Sequence, residues 1–104
     1  MILFITLGVL LLIFTARARP AQWHPNAVWL KQALCVHRHE AAWNDPDPPY
    51  YGGMQFLLST WHRAGGHGYP NLASPREQLY RAWRIWRMNG GAWNEWPTYR
   101  TYCA

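Results

Sequence analysis

The two cysteines of this 104-residue chain, Cys35 and Cys103, constrain its fold more than any other feature. Bonded to one another they would close a loop of about 68 residues and remove roughly 4 kcal/mol of chain entropy from the unfolded state. A chain of this length forms one domain at most, and cores of that size are marginal, so one cross-link would supply a large share of the stability. The alternative is two unrelated free thiols, and the redox compartment decides between them. Residues 1–14 bear on that choice. Ile2, Leu3, Phe4, Ile5, Leu10, Leu11, Leu12 and Ile13 leave no polar face. As a helix the run spans roughly 21 Å, short of the roughly 30 Å hydrocarbon core, which suits a secretory segment better than a membrane span. Ala16-Arg17-Ala18 offers a small-x-small cleavage site, while Arg17 and Arg19 lie on the unexpected side of the run. Residues 1–18 therefore read as a signal peptide or an N-terminal membrane anchor, 19–26 as a linker and 27–104 as the domain. Export predicts a disulfide.

Local signals divide the domain. Over 26–40 the apolar residues Trp29, Ala33 and Val36 fall on one face of a helix, with Val28, Gln32 and Cys35 flanking and Lys31 and Arg38 opposite. Three prolines within 45–49 exclude helix and predict a rigid loop, followed by Tyr50-Tyr51-Gly52-Gly53. Met54-Gln55-Phe56 reads as a short extended piece, and 58–64 as a short helix stopped by Gly65-Gly66. Ser74-Pro75-Arg76-Glu77 is a capping box with proline at the first helical position. Leu79, Ala82, Trp83 and Trp86 form the apolar face of the helix it starts, and Asn89-Gly90-Gly91 end it. An irregular aromatic tail then leads to Cys103. The expected architecture is mainly α within the α+β class: a small domain of about three helices and a short extended segment, its tail stapled to the first helix.

Glu40 continues the Trp29, Ala33, Val36 stripe, with Ala41, Ala42 and Trp43 directly after it. An acid held against apolar surface resists ionising, and a carboxyl that keeps its proton is what glycosidic cleavage needs. The competing reading is a helix end frayed into water. The charge of +5 suits anionic partners: nucleic acid, membrane or an anionic sugar polymer. Arg81, Arg84 and Arg87 recur as a basic ridge on one helix, yet no RNP, zinc-finger or helix-turn-helix pattern supports nucleic acid. His37, His39 and Glu40, with His62 and His67, suggest a metal site. Residues two apart on a helix point to different sides and no His-Glu-x-x-His occurs, so none is expected.

The run Tyr50-Tyr51-Gly52-Gly53-Met54-Gln55-Phe56 sits with Ser59-Thr60-Trp61, Gly65-Gly66 and Ala73-Ser74-Pro75-Arg76-Glu77-Gln78, after an acid near a cysteine and before a closing Trp-rich segment. This set resembles the catalytic domain of resuscitation-promoting factors, transglycosylase-like, lysozyme-fold domains of actinobacteria, over about 28–103. The resemblance implies that Glu40 is the catalytic acid and that Tyr50, Gln55 and Thr60 line the sugar cleft. It also makes Cys35 and Cys103 the family's disulfide. Trp61 is a candidate stacking surface, with core packing as the alternative, and Asn89 stands where the family often has Gln. The family's Glu-Ser-Gly-Gly-Asn-Trp is here the shorter Glu40-Ala41-Ala42-Trp43-Asn44, and a proline-rich loop replaces the glycine-rich turn before the tyrosines.

A glycosidase of the two-carboxylate type needs a second acid. Glu77 belongs to a helix cap, Glu95 to the tail, and Asp45 and Asp47 to the proline-rich loop, so a single-acid mechanism is expected. The expected function is that of an exported muralytic enzyme cutting the β-1,4 bond of peptidoglycan without a cofactor. It would be a cell-wall-associated monomer touching membrane only through its N-terminal segment. The alternatives are a non-catalytic peptidoglycan-binding module of the same fold and a basic, Trp-rich membrane-active protein.

Overall fold

In the computed structural model, which describes residues 22–104, helix α1 spans Ala27–Glu40. Asn26 caps it, its side-chain oxygen accepting from the backbone N–H of Val28 at 2.8 Å and of Trp29 at 3.3 Å. Trp29, Ala33 and Val36 are its buried residues, as the stripe predicts, while the flanking Val28 is exposed. Strands β1 (Tyr50–Tyr51) and β2 (Phe56–Leu57) pair antiparallel, Tyr50 opposite Leu57 and Tyr51 opposite Phe56. The extended piece expected at 54–56 is thus a hairpin whose turn holds Met54 and Gln55. Helix α2 (Leu58–Arg63) follows directly, a short 3-10 turn covers Pro70–Leu72, and α3 spans Pro75–Met88. Ser74 Oγ accepts from the Glu77 N–H at 3.1 Å, which starts α3 where the capping box places it. Only half of the box forms, because the Glu77 carboxylate pairs one turn onward with Arg81 Nε at 2.7 Å. Arg81 also donates to the Ala64 carbonyl, so it stands apart from the exposed ridge expected with Arg84 and Arg87.

The tail corrects the expectation of irregular structure. Pro97–Tyr102 form a fourth helix, α4, laid along α1. The Cys35–Cys103 disulfide joins the two, with Cα atoms 5.9 Å apart, and the His39 and Tyr102 rings stack beside it at 4.4 Å. Six residues are too few for a helix on propensity alone; the cross-link and the packing hold this one. The core between these elements is aromatic. Trp29 stacks on Trp93 at 5.7 Å, Trp93 meets Trp96 edge-on, and Phe56 contacts both Trp96 and Trp61. The buried indole N–H groups of Trp96 and Trp93 are satisfied by the Met54 carbonyl and by Gln32 Oε1. Among the described residues the result is a mainly helical α+β domain of four helices, a two-stranded sheet and one disulfide. Trp23, in the stretch expected as linker, packs edge-on against Trp29 and Tyr80. The apolar segment 1–14 and its cleavage site lie outside the described residues, and no described helix is long and apolar enough to cross a membrane.

Candidate active site

Glu40 is the last residue of α1, half-buried, and one oxygen of its carboxyl group accepts a hydrogen bond from the Thr98 hydroxyl on α4. The Trp43 ring stacks on His37 at 3.7 Å and lies against Gly53. From Glu40 a cleft opens in two lobes. A cavity of about 190 Å³ is lined by Glu40, Tyr50, Gln55, Glu95, Trp96 and Pro97. A second, of about 260 Å³, shares Tyr50, Gln55, Glu95, Trp96 and Pro97 and adds Phe56, Leu57, Thr60 and Asn94. The structure thus brings Glu40, Tyr50 and Gln55 to one lobe and Thr60 to the next. Tyr50, at the start of β1, and Gln55, at the end of the hairpin turn, belong to the wall common to both.

Gln55 is held by its surroundings. It is the one described non-glycine residue with positive φ, at 51°, a region that residues other than Gly, Asn and Asp seldom occupy. Its side-chain nitrogen donates to Asp45 Oδ2 at 2.7 Å and to the Gly52 carbonyl at 2.9 Å. Both partners only accept, which fixes the orientation of the amide. With both N–H groups committed, what Gln55 offers a ligand is its carbonyl oxygen. Behind it the chain is packed too closely for side chains. A Cβ on Gly53 would lie 2.3 Å from the Trp43 ring, and one on Gly52, at φ +79°, would lie 2.5 Å from Gln78 Oε1. Gln78 is wholly buried and uses its entire amide here, accepting from the Gly53 N–H and donating to the carbonyls of Trp43 and Ala73. It ties the loop after Glu40 to α3.

Two candidates fall outside this arrangement. Trp61 is fully buried against Phe56, with its indole N–H on the His67 carbonyl, so it presents no face to a ligand. A bulky apolar residue on the inner side of α2 gains more by burial than by lining an open cleft. Asn89 caps the end of α3, lines neither lobe, and has its side-chain nitrogen buried without a partner. Conversely, the sequence reading missed the 94–98 segment. Asn94, Glu95, Trp96 and Pro97 wall the cleft and Thr98 reaches Glu40. The usable signal was the cysteine pair, since closing it swings this segment across the end of α1. Glu95, read from sequence as part of the tail, lines both lobes, held by Arg63 at 2.6 Å.

His37 and His39 each bond a backbone carbonyl, of Gly53 and of Cys35. Among the described residues, Cys35, His39 and Cys103 place ligand-type atoms within 4.8 Å of one another. Their two sulfurs are bonded to each other, which leaves one imidazole for an ion.

A family model for a transglycosylase-like domain matches residues 24–99, which takes in every residue of the cleft. The chain belongs to the transglycosylase-like domain family. It is 38% identical over 79 residues to resuscitation-promoting factor Rpf of Micrococcus luteus, covering 75% of this chain and 34% of that protein. It is 46% identical over 44 residues to resuscitation-promoting factor RpfD of Mycobacterium tuberculosis (strain ATCC 25618 / H37Rv), covering 41% of this chain and 29% of that protein. The chain therefore spans about a third of the length of these curated relatives. No solved structure matches it.

Proposed function

We propose that this transglycosylase-like domain cuts the β-1,4 glycosidic bond of peptidoglycan, with Glu40 as acid and then base. The observation that carries the reading is the meeting of Glu40, Tyr50 and Gln55 in one lobe of the cleft. Thr98 holds one carboxyl oxygen of Glu40, which leaves the other to give its proton to the departing sugar oxygen. The exposed Tyr50 ring offers a flat surface for a sugar face, while the Gln55 carbonyl accepts from a sugar hydroxyl. As the bond breaks, positive charge grows on the ring, and the Glu95 carboxylate in the same lobe is placed to stabilise it. Glu40 then takes a proton from the attacking group, either water or the sugar's own 6-hydroxyl; the latter gives a 1,6-anhydro product. A single disulfide in so small a domain suits an oxidising compartment, which supports a secreted or membrane-anchored, wall-associated protein.

Digestion of purified wall, with mass spectrometry of the soluble fragments, tests the reading. The parent protein is expected to release disaccharide-bearing fragments and Glu40→Gln to release none, because Gln keeps the shape but has no proton to give. Equal release by the two would remove Glu40 from the chemistry. Wall binding without release by either would make the domain a binding module.

A further inference from the structure

A further cavity adjoins the site above. It measures about 540 Å³, within the range of small-ligand sites, and shares Asn94, Trp96 and Pro97 with the cleft. Trp93 and Tyr99, stacked at 5.4 Å, form its apolar side, and Arg100 of α4 its charged one. No acidic side chain lines it. Arg63 is committed to Glu95 and Arg81 to Glu77, whereas Arg100 has no hydrogen bond or ion pair with any described residue. A guanidinium without a described partner, in a cavity that also has stacked aromatic rings on its wall, fits a ligand that joins a carboxylate to small apolar groups. An uncharged glycan gives such a group nothing to pair with.

We infer that this cavity receives the peptide branch of the substrate, with Arg100 binding one of its carboxylates. The inference rests on the peptidoglycan reading for the identity of the polymer: alternate sugars of that strand carry short peptides rich in alanine and free carboxylates. The cavity adjoins the cleft through Asn94, Trp96 and Pro97, so a branch leaving a strand in the cleft has a short path into it. Arg100 is thus a specificity residue rather than a participant in bond cleavage.

Calorimetric titration of the whole chain tests this, comparing a disaccharide–peptide unit from digested wall with the same disaccharide freed of peptide. The peptide is expected to raise affinity about tenfold, the scale of one bidentate charge-assisted contact. Arg100→Ala should bring the ratio of the two affinities to near one, and Arg100→Lys should restore part of it, since ammonium keeps the charge without the fork. A matching melting curve shows that the variant is folded. The inference is overturned if the peptide adds no affinity, if Arg100→Ala leaves the ratio unchanged, or if no peptide-bearing unit binds. Wall digestion separates this from the enzyme reading. Arg100-dependent binding with no cleavage sinks only that reading; cleavage with an indifferent Arg100 sinks only the peptide site.

Discussion

The carboxyl of Glu40 is positioned by Thr98, a residue 58 places later in the chain. Its hydroxyl fixes one rotamer of a side chain that otherwise ends a helix with three free torsions, and such positioning is worth rate in any proton transfer. Thr98→Val is expected to slow fragment release about tenfold, the scale of one hydrogen bond, and Thr98→Ser to recover most of it. The check is release rate at saturating wall; unchanged rates would make the Thr98 contact structural only. Gln55 poses a similar question. Its backbone sits where an ordinary side chain costs on the order of 1–3 kcal/mol, and strain of that kind persists where neighbours over-determine it. Asp45 is one such neighbour. Asp45→Ala would free half of the amide, so half-saturation should rise severalfold while maximal rate changes less. A fall in maximal rate alone would argue that Gln55 acts on the transition state.

Helix α1 was legible because its stripe has the helical period and Asn26 supplies a cap; the residues named from the pattern are those that are buried. Helix α3 was legible at its start for the same local reason. Ser74→Ala should cost about 1 kcal/mol, read from chemical denaturation, and a loss near zero would mean that Pro75 alone sets the start. Its packed face was read less well. Its buried residues are Gln78, Tyr80, Ala82 and Ile85, with Leu79, Trp83 and Trp86 only partly covered. A buried glutamine breaks any apolar pattern, and its reason lies in the three backbone groups it satisfies on other segments. Replacing it with leucine would strand those groups at about 1–3 kcal/mol each, so Gln78→Leu is expected to lower stability by more than Ser74→Ala does. The reverse order in denaturation midpoints would mean that the loop after Glu40 relaxes to water at little cost. Helix α4 was not legible: its six residues carry no periodic signal, and tertiary contacts hold it.

At the scale of the whole molecule, the cleft is a meeting of two halves. The hairpin side, with Tyr50, Gln55 and Thr60, was readable from a motif contiguous in sequence. The opposite side, 94–98, was not, because nothing local marks Asn94 or Thr98, and their place depends on how the tail returns to α1. The Cys35–Cys103 bond makes that return covalent. Replacing both cysteines with serine should remove roughly 4 kcal/mol, the chain-entropy value for this loop. For a domain of this size that lowers the melting temperature by roughly 15–30 °C, which a thermal melt reads directly. Stability is only half of the expectation. Helix α4 carries Thr98 and follows directly on the Glu95 wall, so loosening it should slow wall digestion even well below the melt, where the variant is still folded. Digestion at such a temperature separates the two effects. A slower rate in the folded variant would mean that the disulfide aligns the acid as well as stabilising the domain. A rate equal to the parent's would assign the seating of α4 to the His39–Tyr102 and Trp93–Tyr99 stacks alone, and the bond would then act on stability only.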